Sequence, residues 1–243
     1  MNYSFLQCGE GALTVHLGDG IDPAVNRRVT ALQGAIGSAG LRGITDLIPA
    51  YADLTVCYDC TVIPAKALQR QLRRLLDSLS VAGQDRRRVF RLPVCYGGDY
   101  GPDLDFVCHH SGLSAQEVIE LHSAPDYLIY MLGFLPGFAY LGGLDPRLHT
   151  PRLDSPRTCI PAGSVGIGGA QTGVYPLASP GGWQLLGRTP VSVFDRQRQE
   201  PILYRAGDLV HFVPISPAEY EEIARAVAAG TYTVQVEEVP VCD

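Results

Sequence analysis

Apolar and polar positions along the first ninety residues recur with two periods, one of strands and one of helices. Ala12 to Leu17 reads as a strand. Asp22-Pro23 then opens a helix, because an acidic cap followed by proline suits the first turn. Val25, Val29, Leu32 and Ile36 form its apolar stripe, and Gly37 and Gly40 end it. Strands are predicted at Ile44–Ile48 and Leu54–Tyr58. A second helix, from Pro64 to Leu79, places Leu68, Leu72, Leu75, Leu76 and Leu79 on one face. A strand near Val89–Cys95 closes the unit. The order βαββαβ predicts a ferredoxin-like split βαβ module over residues 1–90.

From residue 91 to 243 the pattern changes, with a boundary expected near Arg86 to Pro93. Tyr96 to Pro102 is a turn-rich bridge. Helical patterns cover Asp103–His110 and Ser114–Leu121, and Ser114-Ala115-Gln116-Glu117 is a capping box. From Ile129 onward short β segments alternate with Gly/Pro turns: Val165–Ile167, Val174–Tyr175, Gln184–Leu186, Val191–Phe194, Ile202–Tyr204 and Leu209–Phe212. Such spacing predicts a barrel or sandwich, and an α+β chain as a whole. A second capping box, Ser216 to Glu219, opens a late helix to about Ala229, and Thr231–Val236 reads as the last strand.

Tyr127 to Leu144 carries no charge, yet Gly133, Pro136, Gly137, Gly142 and Gly143 interrupt it. It reads as buried chain and turns, because a spanning helix needs about 20 uninterrupted, mostly apolar residues. Of the 243 residues, 25 are acidic and 19 basic, a formal charge of −6 that argues against a general nucleic-acid binder. Lys66 is the single lysine, flanked by alanines within a helical pattern. A Walker A loop is therefore absent, and no lysine is placed to carry biotin. The start lacks a basic leader and a long apolar stretch, and seven cysteines suit a reduced, cytoplasmic protein. Cys57-Tyr58-Asp59-Cys60 has no second pair to complete a metal site.

Glycine and proline concentrate between Gly133 and Pro190, where they make up 20 of 58 residues. That is where backbone must turn or approach something closely. Ala162-Gly163-Ser164-Val165-Gly166 imitates a nucleophile elbow, but Pro161 before it and Gly166, Gly168 and Gly169 after it leave no helix to complete one. The run Gly163 to Gly182 can present successive N–H groups to an anion, with Gln171 and Thr172 as neutral partners and Arg152, Arg157 and Arg188 flanking. The competing reading is tight barrel corners with Trp183 as a core plug. His122, at the end of a capped helix, is either a C-terminal cap or an acid/base contact.

GFLPGFAYLGGL (133–144), TPRLDSPR (150–157), IPAGSVGIGGAQTGVYP (160–176) and SPGGWQLLGRTP (179–190) closely resemble the KipI / allophanate hydrolase subunit 1 family. PVCYGGDYGPDL (93–104), SAQEVIELHS (114–123) and Asp46 to Tyr51 extend the resemblance over nearly the whole chain. It implies an N-terminal α/β module and a cyclophilin-like β-barrel domain of carboxyltransferase subdomain type. Members include subunits of ATP-dependent 5-oxoprolinases, part of urea amidolyase, and an inhibitor of a sensor histidine kinase. The 5-oxoprolinase type fits a free-standing chain without a biotin lysine best. It implies Mg-ATP as cofactor, a carboxyltransferase-like companion (the C-type subunit of 5-oxoprolinase) and a LamB/YcsF-type subunit. It also implies no nucleic acid and no membrane. The candidate catalytic residues are His122, Gln171 and Arg188. The candidate substrate- or ATP-binding residues are Gly137, Tyr140, Arg152, Gly168, Gly169, Gln171, Thr172, Gly173, Tyr175, Gly181 and Arg188.

Overall fold

The computed structural model describes residues 3–79 and 86–240. Two compact units divide the chain, Met1–Asp85 and Arg86–Asp243. In the first, β1 (Ser4–Cys8) and β2 (Ala12–His16) precede α1 (Pro23–Ala39). β3 (Ile44–Pro49), β4 (Asp53–Tyr58) and α2 (Ala65–Asp77) follow. The sheet runs β1-β2-β4-β3 and is antiparallel throughout. The Asp22 side chain accepts a hydrogen bond from the Ala24 N–H at 2.7 Å, and Gly40 ends α1 at φ 57. Val29, Leu32 and Ile36 of α1 and Leu68, Leu72 and Leu76 of α2 pack with Leu13, Val15, Leu54 and Val56 of the sheet.

The expected βαββαβ order is corrected to ββαββα. The strand expected to close this unit belongs to the second one, and the short strand Ser4–Cys8 takes the sheet edge beside β2. A tight turn with Gly9 at φ 64 joins β1 to β2, so this pairing closes with little loss of chain entropy.

The second unit opens with β5 (Arg86–Tyr96), α3 (Leu104–Ser111), α4 (Ala115–Ser123), β6 (Asp126–Leu132) and β7 (Ala139–Gly142). After a 3₁₀ turn at Pro146–Leu148 come β8 (Arg157–Ile160), β9 (Ser164–Gly168), β10 (Gln171–Val174), β11 (Ser179–Gly181) and β12 (Gln184–Arg188). β13 (Leu209–Ile215), α5 (Pro217–Ala228) and β14 (Gln235–Pro240) complete it. Seven strands close a barrel in the order β12-β9-β10-β7-β6-β13-β5, sealed where Gly187 and Arg188 pair with Tyr96 and Cys95. β5 is long enough to pair with β12 at its end and to carry β14 along its first half. β8 and β11 form a separate small sheet.

Leu92, Tyr127, Ile129, Ile167, Leu186 and Phe212 belong to the barrel core. The uncharged run forms β6, a turn and β7, and among the described residues no helix is long and apolar enough to cross a membrane. The strands expected at Val191–Phe194 and Ile202–Tyr204 reduce to one bridge between Phe194 and Ile202. The last strand starts at Gln235, not Thr231.

Candidate functional site

The second unit carries a cleft of about 150 Å³ built on Trp183. Trp183 stands just before β12 with its side chain almost buried. Its indole presses on β9 and β10 where both lack a side chain: a Cβ on Gly168 would collide with Nε1, and one on Gly173 would crowd the six-membered ring. Phe138 meets Trp183, Tyr175 and Tyr140 edge-to-face at 5.5, 5.5 and 5.2 Å, a favourable arrangement of ring quadrupoles. Gly181 lets the Tyr175 hydroxyl approach β11 closely.

The loop between β6 and β7 forms the rim. Leu135 N–H donates to the Gly133 carbonyl at 2.7 Å, which puts Phe134 at the centre of a γ-turn with φ 63. A bulky side chain at positive φ is a strained outlier, and the γ-turn of this hand is rare. Phe134 is nonetheless 66% exposed, at the mouth of the cleft. Tyr204 holds the loop from the core side by donating to the Gly137 carbonyl at 2.9 Å.

Two arginines flank this aromatic floor and differ in role. Arg157 donates to Asp103 at 2.6 Å and to the Trp183 carbonyl at 3.3 Å. Asp103 also accepts the Leu185 N–H at 2.6 Å, so the pair braces the start of β12. Arg152 has its guanidinium 5.8 Å from the Trp183 ring centroid, and it donates to the Gln171 side chain at 3.4 Å. Among the described residues no carboxylate forms an ion pair with Arg152, whereas Arg157 has one. Burial raises the pKa of the Tyr175 phenol; a hydrogen bond from the Trp183 backbone and the charges of Arg152 and Arg157 pull it the other way.

The candidates drawn from the sequence therefore separate into distinct places. Tyr140, Arg152, Tyr175 and Gly181 line the cleft, and Gln171 joins through Arg152. Gly168 and Gly173 lie beneath the indole, and Gly137 lies in the rim loop. His122 and Thr172 lie in the protein interior. Nε2 of His122 is 2.8 Å from the Thr172 hydroxyl, Nδ1 is 2.8 Å from the Tyr96 phenol, and the ring stacks on Phe212 at 4.8 Å. Thr172 donates to the Gly166 carbonyl, so its oxygen accepts from Nε2–H and Nδ1 accepts from Tyr96. Burial pushes the imidazole pKa down to about 3. Arg188 lies at the other end of β12, opposite Cys95 and Ser164 and near Tyr220.

Of the two readings of the glycine run, the hydrogen bonds favour tight barrel corners. Gly163, Ser164, Gly169 and Tyr175 donate their N–H groups to the carbonyls of Tyr175, Pro161, Thr150 and Ser164, and β9 pairs with β10. Turns and sheet formation satisfy these amides within the fold. Phe134, Phe138 and Asp103 are the site residues that sequence reasoning missed. The repeated Gly-Phe pairs in GFLPGF were the available signal for the first two. Among the described residues, no group of three or more His, Cys, Asp or Glu side chains is placed to hold a metal.

The second unit is thus a closed barrel bearing a small cleft with aromatic walls and one guanidinium. The family of the carboxyltransferase domain, subdomain C and D, matches residues 3–204, and the chain belongs to that family. It is 43% identical over 230 residues to the 5-oxoprolinase B-subunit of Bacillus subtilis (strain 168), covering 90% of this chain and 96% of that one. The crystal structure of TTHA0988 is similar with a TM-score of 0.75 at 40% identity, over 84% of this chain but only 40% of that longer one. The crystal structure of K. lactis urea amidolyase has a TM-score of 0.81 over 98% of this chain and 16% of that one; at 23% identity this is a likeness of fold.

Proposed function

We propose that this chain is a subunit of an ATP-dependent 5-oxoprolinase, which opens 5-oxo-L-proline to L-glutamate. The observation that carries this reading is the 43% identity to a 5-oxoprolinase B-subunit along nearly the full length of both chains. The cleft supports it: its cation, aromatic walls and small volume suit a compact anionic ring. Its barrel is of the cyclophilin-like type. The binding residues are Tyr140, Arg152, Gln171, Tyr175 and Gly181, grouped at or beside the cleft. The protein works in the cytoplasm with a carboxyltransferase-like companion and a LamB/YcsF-type subunit.

Opening a lactam at the cost of ATP needs a nucleotide site, as Mg-ATP, in the assembly. The cleft over Trp183 does not fit that group. Gly163, Ser164, Gly169 and Tyr175 bond their amides within the fold, and the cleft is smaller than the roughly 300–1,000 Å³ of ordinary ligand pockets. The single lysine lies in α2, so no lysine joins the cleft and biotin has no exposed-hairpin lysine here. The chain is therefore inactive alone. ATP-dependent release of glutamate from 5-oxoproline is expected only when the purified chain is mixed with both companion subunits. Full turnover by the single chain would refute its dependence on partners. An assembled complex without turnover would refute the activity and favour a regulatory role.

A further inference from the structure

We propose that the cleft over Trp183 seats the ring substrate and not the nucleotide, with Arg152 taking the carboxylate of 5-oxoproline and the ring lying against Trp183 and Tyr140. This rests on the functional reading above and assigns one of its two ligands to a place.

Three observations converge on it. The first is charge. Arg157 is neutralised by Asp103 at 2.6 Å, but Arg152 makes a long contact to the neutral Gln171 side chain at 3.4 Å and faces the indole. A guanidinium held over an aromatic face presents a planar fork that matches a carboxylate. The second is size and lining. About 150 Å³ accommodates one small ring, with Phe134 and Tyr140 exposing aromatic surface beside the small open parts of Trp183 and Tyr175. A nucleoside triphosphate is several times larger and needs a cradle of donors, whereas Gly163, Ser164, Gly169 and Tyr175 bond their amides to backbone carbonyls. The third is strain. Phe134 holds φ 63 at the rim while remaining 66% exposed, so its own burial does not account for that backbone. Such strain persists only where the surroundings hold it, here through Tyr204 on Gly137, and it concentrates at ligand clamps.

The chain contains one tryptophan, so its emission reports on this cleft alone. The full chain, excited at the red edge of the indole band, is titrated with 5-oxoproline. A saturable change is expected, while Mg-ATP leaves the emission unchanged. 2-Pyrrolidinone, the same ring without the carboxylate, is expected to bind about tenfold more weakly or worse. Arg152→Ala should abolish the response to 5-oxoproline with its melting temperature unchanged. Arg147→Ala, whose side chain is exposed and paired with Asp145, should respond like the unmodified chain. No saturable response to 5-oxoproline, an equal response to 2-pyrrolidinone, or a saturable response to Mg-ATP would each overturn the proposal. Turnover by the assembled complex with a silent cleft would sink this inference and leave the functional reading standing. Binding to the cleft without turnover in the complex would do the reverse.

Discussion

His122 shows how burial sets the chemistry of a single side chain. Its two ring nitrogens are both satisfied, by Thr172 and Tyr96, and the ring is fully buried. Charging it there would need a proton in apolar surroundings with no carboxylate among the partners it bonds. The unfolded chain takes up that proton near the ordinary 6.5, whereas the folded one does so only near about 3. The unfolded state thus binds more protons across this window, and stability falls as pH drops through it. The slope approaches about 1.4 kcal/mol per pH unit, and the contribution is fully present above the unfolded value. His122→Gln keeps polar groups but cannot titrate, so urea unfolding from about pH 7 to about pH 4 should show a shallower acid loss. An unchanged slope in that variant would place the acid sensitivity elsewhere. From the sequence, the end of a capped helix left a cap and a reactive histidine equally open. Sequence spacing does not reveal that the ring lies against Phe212.

At the scale of elements, short-range signals were legible and long-range pairings were not. Both capping boxes form, with Ser114 and Glu117 and with Ser216 and Glu219 bonding reciprocally. A strand near Val89–Cys95 was visible, but its partners were not: β13, β14 and β12 all lie far along the chain. Asp103 is a second case. At sequence level it opens a helical pattern; in the fold it braces Arg157 and the Leu185 N–H at the same time. Asp103→Ala leaves both donors without their acceptor and is expected to cost about 1–3 kcal/mol in chemical unfolding. Because Arg157 also reaches the Trp183 carbonyl, the emission of Trp183 should shift in the folded variant. A variant as stable as the unmodified chain, with unchanged emission, would remove Asp103 from the frame of the cleft.

At the scale of the whole molecule, two separate buried clusters account for the division into two units. One is built on α1, α2 and the four-stranded sheet, the other inside the barrel. Each unit holds its own hydrogen-bonded sheet, so residues 86–243 expressed separately are expected to fold. Cooperative thermal melting by circular dichroism and slow amide exchange in the barrel strands would bear this out; a fragment that exposes its amides throughout would contradict it. The sequence alone determined the α+β composition, the helices with their caps, the turn-rich middle and the membership of a family, because these depend on neighbours a few residues apart or on contiguous motifs. It also supplied Arg152, Tyr140, Tyr175 and Gly181 as candidates. Only the tertiary structure decided which of them meet. Gly168 of β9 and Gly173 of β10 make room for an indole, and the two strands pair with each other. Arg188 and Arg152 share a motif-rich region but stand apart, because β12 carries Arg188 away from Trp183. Local pattern cannot foresee this, since closing a barrel brings together strands whose order depends on how the whole apolar surface is buried.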